Sequence, residues 1–286
     1  MEVVMNNNLK LFKDNTGNWI TYNDVVSFLK KVGADKCDIL FIHTETSFGI
    51  PNAQFKRKEY LELLYSAILE LKVKTIIFPS FSFSFCNNEK YNVSQSRSRM
   101  GALNEYVRCL TESIRSIDPI LSVTVVGQNK EIIKDLGKNS IGKDSIFDRL
   151  HKNDNVKFLF FGAEIAKCFT YIHYVEEQYS VPYRYNREFK GIINDGVREY
   201  EDIYTLYVKY KGIVPAISYN FEQHLFENGS LKRVNCGNSP ITCISEKDAH
   251  FEIINKLNSD INYFLDKPFV DEDLEPLYIP GNIQTV

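Results

Sequence analysis

The chain has 286 residues, which suffices for one large α/β domain or two small ones around a sizeable core and excludes a stapled mini-protein. At 44% apolar, 25% charged and 13% aromatic residues it is not a disordered chain. Its formal net charge of −3, with both signs interspersed, offers no basic field for a nucleic-acid backbone.

In chain order, "MEVVMNNNLKLFKD" lacks a basic segment followed by a long apolar run, and no stretch approaches ~18 apolar residues, so a cytoplasmic protein without a membrane partner is expected. "TYND" then reads as a capping box, Thr21 with Asp24, opening a helix that carries Val25, Val26, Phe28 and Leu29. "DILFIHT" from Asp38 is a buried strand. "KEYLELLYSAILELK" places Tyr60, Leu63, Leu64, Ala67 and Leu71 on one helical stripe, and "TIIFPSFSF" follows as a second strand whose apolar run stops at Pro79, completing a β-α-β unit. Next come a helix through "GALNEYVRCLTESI", a strand "LSVTVVG", a short helix around "KEIIKDLG", a strand "VKFLFFG" and a helix containing "TYIHYVEEQY". Short, nearly continuous apolar strands separated by helices predict an α/β fold with a mostly parallel sheet covered on both faces. After Pro182, "YRYNREFKGII" and "YEDIYTLYVKYKGI" alternate apolar and polar residues, predicting antiparallel strands, and helices return near residues 219–227 and 246–258. With no repeat and no low-complexity linker, a single domain over residues 1–286 is expected.

Polar residues crowd the carboxyl ends of two strands, at "DILFIHTETSFG" and "PSFSFSF", the edge where ligands sit in open α/β sheets. Each alone reads first as an ordinary strand-to-loop transition, and it is two parallel strands ending side by side that strengthens the functional reading. "SQSRSRMGALNEYVR" sets hydroxyls, arginines and Gly101 before a helix start, where backbone N–H groups favour an anion, although the spacing is not that of a phosphate loop. A serine-capped helix with solvated arginines reads the same stretch as well. At ~100° per residue, Phe169, Ile172, Val175 and Tyr179 form an apolar stripe that includes Glu176, while His173, Glu177 and Thr170 follow round one flank. A buried carboxylate needs a donor or a cation, and His173 is in reach. A satisfied structural pair and a catalytic pair remain equally open at this point, and Glu177 is read as solvated. His151, His224 and His250 have no convergent partners in sequence. The six cysteines are scattered, without the paired spacing of a zinc or redox site, so no metal is expected.

Together these stretches resemble the aminoglycoside N3-acetyltransferase (antibiotic N-acetyltransferase) family. The matches are "FIHTETSFG", "IIFPSFSFSF", "SRMGALNEYVR", "RSIDPILSVTVVG", "GKDSIFDRL", "FLFFGA" and "TYIHYVEEQYSVPYR", in that order over roughly residues 38 to 185. The resemblance implies a three-layer α/β/α sandwich distinct from the GNAT acetyltransferases, and transfer of an acetyl or related acyl group from acyl-CoA to a primary amine on a sugar. It assigns His173 and Glu176 to the family's catalytic histidine and glutamate. It brings the CoA contacts to His43 and Thr44, to the helix start at Ser98, Arg99, Met100 and Gly101, and to Ser122. Where antibiotic-modifying members carry His-Pro this chain has Asp118 and Pro119, and it has Leu121 in place of a further histidine. "DPILSV" looks more like members that acylate nucleotide-linked amino sugars for surface polysaccharide, with Asp118 and Glu177 as substrate contacts. The partners implied are a small-molecule amino sugar and no nucleic acid, with a homodimer as the assembly to test.

A sugar amine must lose a proton to attack a thioester, a task that suits an imidazole of ordinary pKa ~6.5. His173 is expected to be the base, Glu176 to orient it, and Thr170 or a backbone N–H near the helix start to polarise the thioester carbonyl. Three alternatives stand beside this: antibiotic resistance through aminoglycoside acetylation, a non-catalytic CoA- or sugar-binding protein, and a hydrolase with a metal on His43 and His173. The last fits poorly for want of a close ligand pair.

Overall fold

The structure, a computed structural model, describes residues 9–216, 219–270 and 274. Two antiparallel strands, β1 (Lys10–Lys13) and β2 (Trp19–Thr21), lead into α1 (Tyr22–Lys31). Thr21 Oγ1 accepts the Asp24 N–H at 3.2 Å and the Asp24 carboxylate accepts the Thr21 N–H at 2.8 Å, which is the capping box read from the sequence. Next come β3 (Ile39–Thr44), β4 (Ile50–Pro51), α2 (Arg57–Leu69), β5 (Thr75–Pro79), β6 (Tyr91–Asn92), α3 (Ala102–Arg108), β7 (Ile114–Arg115) and β8 (Val123–Gly127). Then follow α4 (Ile146–His151), β9 (Val156–Phe161), α5 (Ile165–Cys168), α6 (Tyr171–Tyr179) and the long antiparallel hairpin of β10 (Arg184–Asn194) and β11 (Glu199–Lys209). The chain continues through α7 (Tyr219–Glu227), β12 (Lys232–Cys236), β13 (Ser239–Ser245) and α8 (Glu246–Ser259). The expected short helix around "KEIIKDLG" is a 3₁₀ turn at Lys130–Ile133.

The main sheet has the strand order β12-β13-β9-β3-β5-β8-β7. Only its centre is parallel, β3 pairing in parallel with both β5 and β9, while β8, β7, β13 and β12 join antiparallel. The sheet is therefore mixed rather than mostly parallel. An apolar run reports burial and not direction; the direction of β8 is set outside the run, where Ser80 N donates to Ser122 O, Phe83 N to Ile120 O and Ser84 N to Pro119 O. These bonds bring the chain back beside β5 in the opposite sense.

Strand periodicity divides the core into two layers. Ile39 and Phe41 of β3 and Phe158 and Phe160 of β9 face one side, against α4, α6 and α8. Leu40 and Ile42 of β3 and Leu159 and Phe161 of β9 face the other, against α1, α2 and α3. This is an α/β/α sandwich. Phe41, Phe158 and Phe160 are fully buried, and truncating any one of them to alanine would cost ~3–5 kcal/mol. The same parity sends His43 toward the α6 layer and Thr44 toward the α3 layer.

Candidate active site

α6 is buried from Tyr171 through Glu176, so the apolar stripe underestimates its burial. Phe169 precedes the helix and Thr170 occupies its N-cap. The helix stops at Ser180, in the left-handed conformation at φ 59°, ψ 50°, and Val181 N caps the Glu176 carbonyl at 3.1 Å. The reversal carries Tyr183 and Arg184 back under Glu176.

Four buried side chains meet there. His173 Nδ1 lies 2.7 Å from Glu176 Oε2, and Tyr183 donates its hydroxyl to Glu176 Oε1 at 2.8 Å. Arg184 Nε is 2.9 Å from Glu176 Oε2, an ion pair whose N–H points off the hydrogen-bond line. Arg184 Nη1 donates to the Tyr207 carbonyl of β11 at 3.2 Å, and Tyr207 donates its hydroxyl to the Val181 carbonyl at 2.6 Å. The β10–β11 hairpin thus clamps the end of the helix.

Burial works to raise the Glu176 carboxyl, but the Arg184 guanidinium and the His173 and Tyr183 contacts outweigh it and hold the group below the usual carboxylate range. Glu176 is therefore an acceptor only, while Arg184 Nη2 approaches the same Nδ1 as a donor at 3.0 Å; the shorter 2.7 Å contact to the carboxylate favours the imidazole proton on Nδ1 and the lone pair on Nε2. Burial, then the Arg184 charge, with Nη2 3.0 Å from Nδ1, push His173 below the ordinary imidazole value against the pull of Glu176. His173 Nε2 is buried and, among the described residues, has no hydrogen-bond partner. The cluster is a neutral imidazole with its proton anchored at one nitrogen and an unused acceptor at the other.

Thr170 is 3% exposed, and its hydroxyl makes only a 3.4 Å contact to the Cys168 carbonyl, so it is buried and weakly held. His43 stacks on Phe160 at 5.1 Å with an interplanar angle of 6° and meets Phe169 edge-on. Burial pushes its pKa down to about 3. Thr44 points the other way and donates its hydroxyl to Asn104 of α3. The expectation that His43 and Thr44 touch one ligand together conflicts with strand parity, because neighbouring residues project to opposite faces.

The helix start at Ser98 to Gly101 opens on a cavity of about 1000 Å³ whose walls include Arg57, Lys58, Arg97, Ser98, Arg99 and Gly101. Gly101 adopts φ +94°, and a Cβ there would lie 3.4 Å from the Thr44 carbonyl, so the strand end and the helix start meet closely. Met100 is half-buried against the core of the α6 layer. Several cations beside a cleft of this size suit a phosphate-bearing nucleotide such as CoA. His173 is not among the cavity's lining residues.

Ser122 is fully buried, donating to the Ser80 carbonyl at 2.8 Å and accepting from Arg115 Nε at 3.3 Å. Its hydroxyl is consumed by the scaffold. Asp118 is 5% exposed and accepts from Ile120 N, Leu121 N and Ser140 Oγ at 2.8, 2.9 and 3.0 Å. Glu177 is half-buried, not solvated, and accepts from Asn139 Nδ2 at 3.1 Å. The segment carrying Asn139 and Ser140 thus links the two expected substrate contacts, and both carboxylates hold it in place. The burial of Cys168 pushes its thiol up, and Sγ donates to the Glu164 carbonyl at 3.2 Å.

Sequence reading missed Arg184 and Tyr183, although both lie just past the helix in "YSVPYRY" and a buried Glu176 demands a cation. It also left His151 and His250 without partners, whereas α4 and α8 bring their rings to 4.2 Å. Among the described residues, no helix is long and apolar enough to cross a membrane.

A family model described as aminoglycoside 3-N-acetyltransferase matches residues 75–257. A comparison with curated proteins finds no significant match. Among solved structures, the YokD protein from Bacillus subtilis superposes with a TM-score of 0.70 at 17% identity, covering 89% of this chain and 96% of that one. AAC-IIIb in binary complex with CoASH gives 0.68 at 15% identity, covering 87% and 99%. A mutant of the aminoglycoside acetyltransferase AAC(3)-IVa in complex with a gentamicin gives 0.68 at 18% identity, covering 89% and 93%. At these identities the superpositions show a shared fold.

Proposed function

The chain belongs to the aminoglycoside 3-N-acetyltransferase family and is an acetyltransferase; on that premise we propose that it moves an acetyl or related acyl group from acyl-CoA directly to a primary amine of an amino sugar, with His173 as general base. The observation that carries this reading is the His173 imidazole, whose Nδ1–H is anchored on Glu176 while Nε2 is buried and unpartnered. Leaving a buried polar atom unpaired costs ~1–3 kcal/mol, and the buried His43 Nε2 carries the same cost; what sets His173 apart is the ionised carboxylate that holds its other nitrogen.

In this mechanism the free amine attacks the thioester carbonyl, forming the new C–N bond. Nε2 takes the proton that the nitrogen sheds. The tetrahedral intermediate collapses with cleavage of the C–S bond, and the imidazolium returns its proton to the departing CoA thiolate. Glu176 stabilises the imidazolium and fixes the ring, as the carboxylate of a catalytic triad does. Arg184 keeps that carboxylate ionised. Thr170, at the start of the same helix, is the side chain proposed to donate toward the developing oxyanion, its weak contact to Cys168 leaving the hydroxyl available. Acyl-CoA is proposed to occupy the cavity at Ser98, Arg99 and Gly101, where Arg57, Lys58, Arg97 and Arg99 outnumber the acidic wall residues Glu89 and Glu105 and would meet its phosphates.

The acceptor proposed is a nucleotide-linked amino sugar. Asp118 and Pro119 in place of the His-Pro of antibiotic-modifying members support it, and so does a net charge of only −3, since a polycationic drug favours a more acidic cleft. Asp118 and Glu177 would shape the acceptor side by fixing the Asn139–Ser140 segment. A second reading, acetylation of an aminoglycoside, is favoured by the fold shared with an enzyme crystallised with a gentamicin. The test is CoA release from acetyl-CoA across a panel of aminoglycosides and nucleotide-linked amino sugars, with product mass identifying the acyl group. Turnover of the nucleotide sugars supports the proposal, and turnover confined to aminoglycosides overturns the choice of acceptor.

A further inference from the structure

We propose that His151, Glu246 and His250 form a binding site for a divalent transition metal, with zinc the ion that their donor set suits best. His151 is the last residue of α4, and Glu246 and His250 lie one turn apart on α8, where an i, i+4 spacing puts both on one helix face. One ligand atom from each of the three falls within 4.8 Å of the other two. Two imidazoles and a carboxylate leave a fourth position for water, the donor set of open zinc sites, whereas magnesium and calcium prefer oxygen alone.

The surroundings are those of a built site. The Glu246 side chain is 2% exposed although it opens a helix on the outer layer. Its close partners are the His151 ring, with Nδ1 at 2.7 Å from Oε1, and the Tyr171 hydroxyl. The adjacent Lys247 is turned instead to Asp154 at 2.7 Å. The Tyr171 hydroxyl also lies 3.2 Å from His250 Nδ1 and 3.4 Å from His151 Nδ1, so one buried hydroxyl touches all three candidate ligands and holds them together. In front, a shallow cavity of about 290 Å³ bordered by His151, His250, Phe251 and Ile254 gives an ion access from solvent. Around a tetrahedral ion with ~2.0–2.1 Å bonds, ligand atoms stand ~3.3 Å apart. Binding therefore replaces the His151–Glu246 hydrogen bond with a small opening of the pair.

The site would join α4 to α8 across α6, whose Tyr171 stands two positions before His173. It requires no part of the acyl-transfer chemistry, and its test does not depend on that chemistry. The untagged full chain, stripped with a chelator and dialysed, is titrated with zinc alone by calorimetry and with cobalt(II) alone by visible absorption. The expected result is one ion per chain at micromolar affinity or tighter, with ligand-field bands for cobalt, and unchanged binding in His173→Ala. His250→Ala should weaken binding by more than the ~10–100-fold that loss of an outer partner costs. His151→Asn, at a ring exposed to solvent, should do the same and serves if the first variant misfolds. Absence of stoichiometric binding, or unchanged binding in either folded variant, overturns the proposal.

Discussion

Two clusters that touch α6 each pair a histidine with a buried glutamate, one within the helix and one between α4 and α8, and they differ in what neutralises the carboxylate. At the carboxyl end of α6, Glu176 faces a guanidinium, and the Arg184 charge together with burial keeps the His173 ring neutral. At its amino end, through Tyr171, Glu246 faces two imidazoles and a shallow opening to solvent. The first arrangement gives both oxygens of the carboxylate a protein donor and leaves one nitrogen idle. The second keeps its donors convergent and accessible. A buried His-Glu pair orients a base when a fixed cation completes it, and becomes a ligand pair when a second imidazole does.

The comparison breaks most readily at Arg184. Arg184→Gln removes one partner of a buried ion pair and should cost ~3–5 kcal/mol in urea unfolding. In whatever remains folded, the acid limb of kcat/KM should move to higher pH, because Glu176 then stabilises the imidazolium without an opposing charge. Loss of stability below ~1 kcal/mol would show that the guanidinium is not what compensates Glu176. Tyr183→Phe removes one hydrogen bond to a charged acceptor and should cost ~1.5–3 kcal/mol in the same assay.

His43 supplies a control, as an imidazole buried against Phe160 with no carboxylate at its ring. Its folded pKa is depressed to about 3 from 6.5, so between those values the unfolded chain binds the extra proton. Stability contributed by keeping it neutral is present above pH ~6.5 and falls, by at most ~1.4 kcal/mol per pH unit, as the pH drops toward 3. His43→Phe should flatten the acid side of a stability profile, and an unchanged slope would remove His43 from that account. The smallest effect is expected at Cys168, whose burial disfavours the thiolate. Cys168→Ser should keep near wild-type turnover; a large loss would point to an acyl-cysteine route.

The central strands, the capping box and the β10–β11 hairpin were legible because each follows from local periodicity. The antiparallel direction of β8 was not, since backbone bonds from Ser80 to Ser84 decide it. The β12–β13 hairpin was missed because "KRVNC" is largely exposed and carries no apolar run. At the site, the helix wheel placed Glu176 inside with His173 correctly. It stopped at the helix end, and so overlooked Arg184 and Tyr183. His151 met no partners in sequence because Glu246 and His250 lie on a helix far along the chain from α4, whereas the i, i+4 spacing of Glu246 and His250 was legible and was overlooked. Ser122 shows the opposite limit: a motif match names a position but does not reveal that hydrogen bonds within the scaffold already engage its hydroxyl.

The account rests on His173. His173→Ala, assayed by single-turnover CoA release with the best acceptor of the panel and with acetyl-CoA affinity measured separately, tests it directly. The predicted result is a fall in kcat of ~10²-fold or more with acetyl-CoA affinity essentially unchanged. Turnover close to that of the unmodified enzyme would contradict it.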